Sequence, residues 1–188
     1  MKKSLFLLLL TFFIAPAIFS QFYMSVLPSP EFTSALEKIV VDFRVNFKTI
    51  EGNEIMTEGE MQSYESMVKL PGARQCTIYK FNSGLDTSAS WQAVMYSGDV
   101  YSEAVKTYEN IFRLVKKSRI KWIDRSVIGF AGELEKPSND VGFSVSTLHL
   151  QLDDYRYKNF LAEIELVSGQ YGWQVNLNLY SKKDDAEQ

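Results

Sequence analysis

Two stretches of the chain carry apolar residues at three- and four-residue spacing, and much of the remainder carries them at every second position. The first helical stripe is Phe32, Ala35, Leu36, Ile39, Val40, Phe43, Phe47 and Ile50. Ser29 stands where an N-cap belongs, Pro30 suits the first helical position, and Gly52-Asn53 gives a stop. The second stripe is Tyr101, Ala104, Val105, Tyr108, Ile111, Phe112 and Val115, with Asp99 as its expected N-cap. Lys116, Lys117 and Arg119 follow at its C-terminal end, where cations meet the negative pole of the helix dipole. The first stripe reads as a core-packing face rather than a cofactor site, and the basic cluster as a charge-matched helix end rather than an anion site.

The rest reads as strands. Residues 21–30 form an extended lead-in, and 51–63 are polar and predict a loop. Residues 64–70 predict a strand, Pro71-Gly72 a type II turn, and 74–81 the returning strand. Asn82-Ser83-Gly84 breaks the pattern before a third strand over 90–97, with Trp91, Ala93 and Met95 on one face. After the second helix, strands are predicted over 127–134 and 141–152, separated by a Pro137-Ser138-Asn139-Asp140 turn. A polar loop at 153–159 leads into Phe160, Ala162, Ile164 and Leu166, and 168–172 turns the chain. In the last strand Trp173, Val175, Leu177 and Leu179 alternate with Gln174, Asn176, Asn178 and Tyr180, so one face is buried and one is wet. The tail from Ser181 is polar and expected to fray.

Helix, three strands, helix, and three or four strands joined by short turns imply antiparallel meanders whose apolar faces need a lid. The expected fold class is α+β: one antiparallel sheet, or two small ones, covered by the two amphipathic helices. The order suggests tandem α-β-β-β units, with half-units at 29–97 and 98–181 inside a single domain over 21–188.

The N-terminus carries the most specific signal. Lys2 and Lys3 precede an apolar run, 5–14, broken only by Thr11, and Pro16 ends it before Ala17-Ile18-Phe19-Ser20. This is the tripartite pattern of a signal peptide over 1–20, cleaved after Ser20. The run is shorter than the roughly 20 residues a spanning helix needs. The protein is therefore expected to be exported, periplasmic or secreted, with no transmembrane segment after cleavage.

Composition narrows the chemistry. The chain has 188 residues, one Cys, one His, 14% aromatic residues and a formal charge of -3. One Cys excludes an intramolecular disulfide, and one His with one Cys excludes a Cys/His zinc site, so neither metal nor cofactor is expected. The mildly acidic balance argues against nucleic acid. A Ser-His-acid triad would need His149, but no Gly-x-Ser-x-Gly elbow serves it. A Cys76–His149 pair has nothing in the sequence to bring it together, and Cys76 lies in an apolar strand that favours a packed thiol. Gly129 and Gly132 form a weak Gly-x-x-Gly, which suits a bulged or closely packed strand better than a phosphate loop. Carboxylate-pair hydrolysis stays open, since two acids distant in sequence can meet in a fold.

One surface feature stands out. The loop 153–159 places Tyr155, Arg156 and Tyr157 in polar surroundings, and Tyr171 and Trp173 occupy another turn. Tyr and Arg are enriched at recognition hot spots, so these five residues are the candidate binding site. The bland reading is that the rings fold back and finish the core.

The signal ending Phe19-Ser20-Gln21 and the stretch Tyr64-Glu65-Ser66-Met67-Val68-Lys69-Leu70-Pro71-Gly72-Ala73 resemble segments of uncharacterised small exported proteins of Bacteroidota. That group has no assigned activity, so the resemblance transfers no catalytic residue. The expectation is a non-enzymatic exported module that binds another envelope protein through a sheet face or loop aromatics. The alternative is a binder of a small apolar ligand or lipid between helix and sheet, followed by a hydrolase using paired carboxylates.

Overall fold

The computed structural model describes residues 27–83, 86–138 and 140–182. The segment expected to be a signal peptide, with its cleavage point after Ser20, lies outside the described residues, as do most of the lead-in and of the C-terminal tail.

Helix α1, Pro30–Asp42, starts as its sequence demands: the Ser29 hydroxyl accepts from Phe32 N–H at 3.1 Å, and Pro30 opens the first turn. It stops earlier than the apolar stripe. Asn46 and Phe47 take left-handed backbone, φ 55° and 59°, and two 3₁₀ turns, Phe43–Val45 and Lys48–Ile50, replace the last helical turns. Asp42 explains the break. Its carboxylate accepts from Thr49 N–H at 3.1 Å, from Ile50 N–H at 3.3 Å and from the Thr49 hydroxyl, so it caps the second 3₁₀ turn. Phe47 and Ile50 are still buried, as the stripe requires, but by a kink rather than by continued helix.

Strands β1, Glu51–Glu58, and β2, Met61–Ser66, form a hairpin through Gly59 at φ 59°. The loop expected over 51–63 is thus two strands. β1 is an edge with most residues exposed, so it needs only backbone pairing and shows no apolar alternation. The strand expected over 64–70 is likewise shifted. At the predicted turn, Gly72 takes φ 86° and Ala73 N–H donates to Leu70 O at 3.0 Å. β3, Gln75–Ser83, and β4, Asp86–Gly98, follow, longer than their patterns suggested.

Helix α2, Tyr101–Lys117, packs against β4, against β7, Phe130–Gly132, and against the strands Phe160–Gly169 and Gly172–Ser181. Asp99 does not cap it. Val100 is the N-cap residue and no side chain caps the end. The strand expected over 127–134 divides in two. Ile120–Lys121 (β5) pairs with Val127–Ile128 (β6) as a small hairpin, and after Gly129 the chain enters β7. Gly132 is needed there because a Cβ would collide with Thr147 O. β8, Phe143–Leu150, β9, Phe160–Gly169, and β10, Gly172–Ser181, complete the fold. Gly172 holds φ 97°, and a Cβ there would lie 2.5 Å from Asp99 Oδ1.

The result is α+β, with one eight-stranded antiparallel sheet in the order β1-β2-β3-β4-β10-β9-β8-β7. Ile78, Trp91, Leu179, Ala162 and Leu148 stand in register across five neighbouring strands, and all are fully buried. They join Leu36, Ile39 and Val40 of α1 and Ala104, Tyr108 and Ile111 of α2 in one apolar core. Burying each large side chain contributes roughly 1.5–3 kcal/mol. Among the described residues, no helix is long and apolar enough to cross a membrane.

Candidate functional site: the polar face of the sheet

The side chains that alternate with the core row form the sheet's other face. Tyr79, Ser90, Tyr180, Leu161 and His149 stand in register there, and beside them run Thr77, Gln92, Asn178, Glu163 and Thr147. Alternation alone puts these residues together, since successive strand positions point to opposite faces. A groove of about 370 Å³ opens at their centre, over β3, β4, β10 and β9.

Hydrogen bonds order this surface. The Gln92 amide donates to Asn178 Oδ1 at 2.9 Å, and Tyr79 OH donates to Gln92 Oε1 at 3.4 Å. Tyr180 OH donates to Glu163 Oε2 at 2.6 Å, while Thr147 Oγ1 approaches Glu163 Oε1 at 3.5 Å. Burial raises the Tyr180 phenol, helped by its bond to Glu163 and by the charges of Glu163 and Glu165. It therefore stays a proton donor. The groove thus offers tyrosine rings, fixed amides and two carboxylates, which suits a polar ligand.

The residues singled out by sequence are distributed differently. Tyr155–Tyr157 forms a 3₁₀ turn before β9, whereas Tyr171 and Trp173 lie beyond its far end. Ten residues of strand separate the two groups, roughly 30 Å, so they do not form one surface. Tyr157 is fully buried. Its hydroxyl donates to Val40 O at 2.8 Å, and its ring meets Phe43, Trp122 and Phe160 at centroid distances of 5.1–5.4 Å. Burial pushes its phenol up strongly. Trp173 packs on Tyr101 at 4.7 Å. Arg156 holds Asp154 through paired bonds of 3.0 and 2.6 Å, and this holds the Asp154 carboxyl below its ordinary range. Tyr155 and Tyr171 are the exposed pair, at 87% and 83%.

Cys76 and His149 lie on opposite faces of the sheet. Cys76 pairs with Ala93 on the core side, and His149 pairs with Leu161 on the polar side, four strand steps away. That is roughly 19 Å at ordinary strand spacing. Cys76 also borders a depression of about 230 Å³ beside Lys69 and Arg74, but burial pushes its thiol up and keeps it protonated. Among the described residues, no cluster of His, Cys, Asp and Glu has the makings of a metal site.

The groove was not visible in the linear sequence because its lining comes from four strands. Each contributor reads simply as the wet phase of an alternating segment. The one available signal was the run Gln174, Asn176, Asn178 and Tyr180, whose amides and phenol exceed what a solvated face requires. No family model, curated protein or solved structure matches the chain.

Proposed function

We propose that this chain is an exported, non-enzymatic binding module and that the polar face of its sheet is the surface that engages another component of the cell envelope. The groove of about 370 Å³ carries this reading, because it gathers hydrogen-bonding groups from strands far apart in sequence. Its lining favours a polar partner over a small apolar ligand. The signal-peptide pattern at 1–20 supports export, and N-terminal sequencing of the protein recovered from the envelope tests it: processing after Ser20 agrees, an intact Met1 disagrees.

The finer fold reading belongs to the same proposal. The strand order β1 to β4 and then β10 back to β7 supports two repeated units, each a helix followed by a meander, joined at the β4–β10 seam. With α1 and α2 as lids on the core side, the opposite face is left for recognition.

A groove-filling variant, Asn178→Trp, tests the binding role. Envelope material retained by the immobilised protein and lost by a folded variant supports it, and equal retention by both contradicts it. One observation keeps a second reading in play. Glu163 and Glu165 project from one strand into the same groove, so two carboxylates share one cavity, as carboxylate-pair hydrolysis requires. Turnover of fluorogenic glycosides that is abolished by Glu165→Gln would establish it, and inertness towards a broad panel would remove it.

A further inference from the structure

We propose that the groove receives a cationic group, the ammonium or guanidinium of a lysine or arginine presented by an extended segment of a partner protein. This rests on the reading of the polar face as the binding surface and gives that surface a ligand class.

Charge sets the sign. Glu163 and Glu165 line the groove, and no Lys or Arg occupies a position on this face of β3, β4, β8, β9 or β10. The lysine within β3, Lys80, has the opposite parity and pairs with Glu51. Lys182 lies just past β10 and does not line the groove. An anionic ligand would be desolvated against two carboxylates with no counter-charge among the described residues that line the groove, whereas a cation finds both.

The two carboxylates are not equivalent. Glu163 already receives hydroxyls from Tyr180 and Thr147. Among the described residues, no hydrogen bond or ion pair engages the Glu165 carboxylate, though the residue is half-buried. Its oxygens are free to take a charge-assisted bond from a ligand donor. The rings of Tyr79, Phe81 and Tyr180 line the same groove, and aromatic faces attract ammonium and guanidinium groups. A partnerless carboxylate beside three rings is the combination that recognises an organic cation. A cavity of 370 Å³ is too large for a lone ammonium ion but accommodates the stem of a long side chain.

Titration of isotope-labelled protein with an N-acetylated pentalysine amide tests the proposal, with the fully Nε-acetylated peptide as control. The expected result is that pentalysine shifts resonances of Glu165, Tyr79 and Asn178, weakens with added salt, and loses about tenfold in affinity with the isosteric Glu165→Gln. Tyr79→Leu should also weaken it. Equal binding of the acetylated peptide, or unchanged affinity in a folded Glu165→Gln protein, overturns the cationic ligand. Groove shifts with a neutral probe such as maltohexaose but not with pentalysine would overturn the ligand class and leave the binding face standing. If neither these probes nor envelope material perturb the groove, both readings fall.

Discussion

The indole N–H of Trp91 donates to Ser66 Oγ at 2.9 Å, and the Ser66 hydroxyl donates onward to Val68 O at 2.8 Å. Both side chains are buried, Trp91 at 0% and Ser66 at 1% exposure. The relay ties the centre of the sheet to the segment where β2 leaves regular structure. Replacing Ser66 by Ala strands a buried N–H and frees Val68 O, which should cost about 1–3 kcal/mol. Urea unfolding followed by tryptophan fluorescence measures it; a change below about 0.5 kcal/mol would mean that water or another acceptor reaches the indole.

Tyr157 should behave as a core residue despite its place in a recognition-like loop. Tyr157→Phe removes the hydroxyl bonded to Val40 O and should cost about 1 kcal/mol, whereas Tyr157→Ala also empties the cluster with Phe43, Trp122 and Phe160 and should cost about 3–5 kcal/mol. Binding at the groove should be unchanged in Tyr157→Phe. Lost binding with unchanged stability would reverse this assignment.

The break after α1 depends on one carboxylate. Asp42 accepts from Thr49 and Ile50 while Asn46 and Phe47 hold left-handed backbone. Asp42→Ala should therefore destabilise by about 2 kcal/mol, with Asp42→Asn intermediate because one oxygen still accepts. Equal unfolding midpoints for Asp42→Ala and the parent would show that the kink is held by packing of Phe47 alone.

Stability should fall at alkaline pH. Burial raises the Cys76 thiol and the phenols of Tyr108 and Tyr157. Each stays protonated in the fold, while its unfolded counterpart ionises near pH 8.5 for the thiol and near 10 for the phenols. The folded state then binds more protons, so its stability is complete below the unfolded values and declines above them. Chemical denaturation from pH 7 to 10.5 should show the first loss beginning near pH 8.5, and Cys76→Ala should remove that first step alone. A flat profile would contradict the burial of these groups.

The sequence was informative where alternation or helical spacing marks a buried face. Leu36, Ile39 and Val40, Tyr108 and Ile111, and Val175, Leu177 and Leu179 were all expected in the core, and all are buried there. It was uninformative where an element is held by its backbone alone. β1 shows no apolar period because it is an exposed edge, and the β5–β6 hairpin has only two residues on each side. The α1 kink was hidden because Phe47 and Ile50 keep helical spacing while Asp42 redirects the chain. The pairing of β4 with β10 brings Gln92 beside Asn178 across 86 residues, and local pattern carries no information about such a partner. The groove depends on that pairing. Tyr155, Arg156, Tyr157, Tyr171 and Trp173 are conspicuous by residue type but stand at the two ends of β9.

The side-chain amide resonances of Gln92 and Asn178 give the most direct view of the binding face. In a titration of isotope-labelled protein with envelope extract, they should shift together with Tyr79 and Tyr180, while Tyr155 and Tyr171 stay unmoved. Shifts confined to Tyr155 or Tyr171, with Gln92 and Asn178 unchanged, would place recognition on the loops and contradict the account.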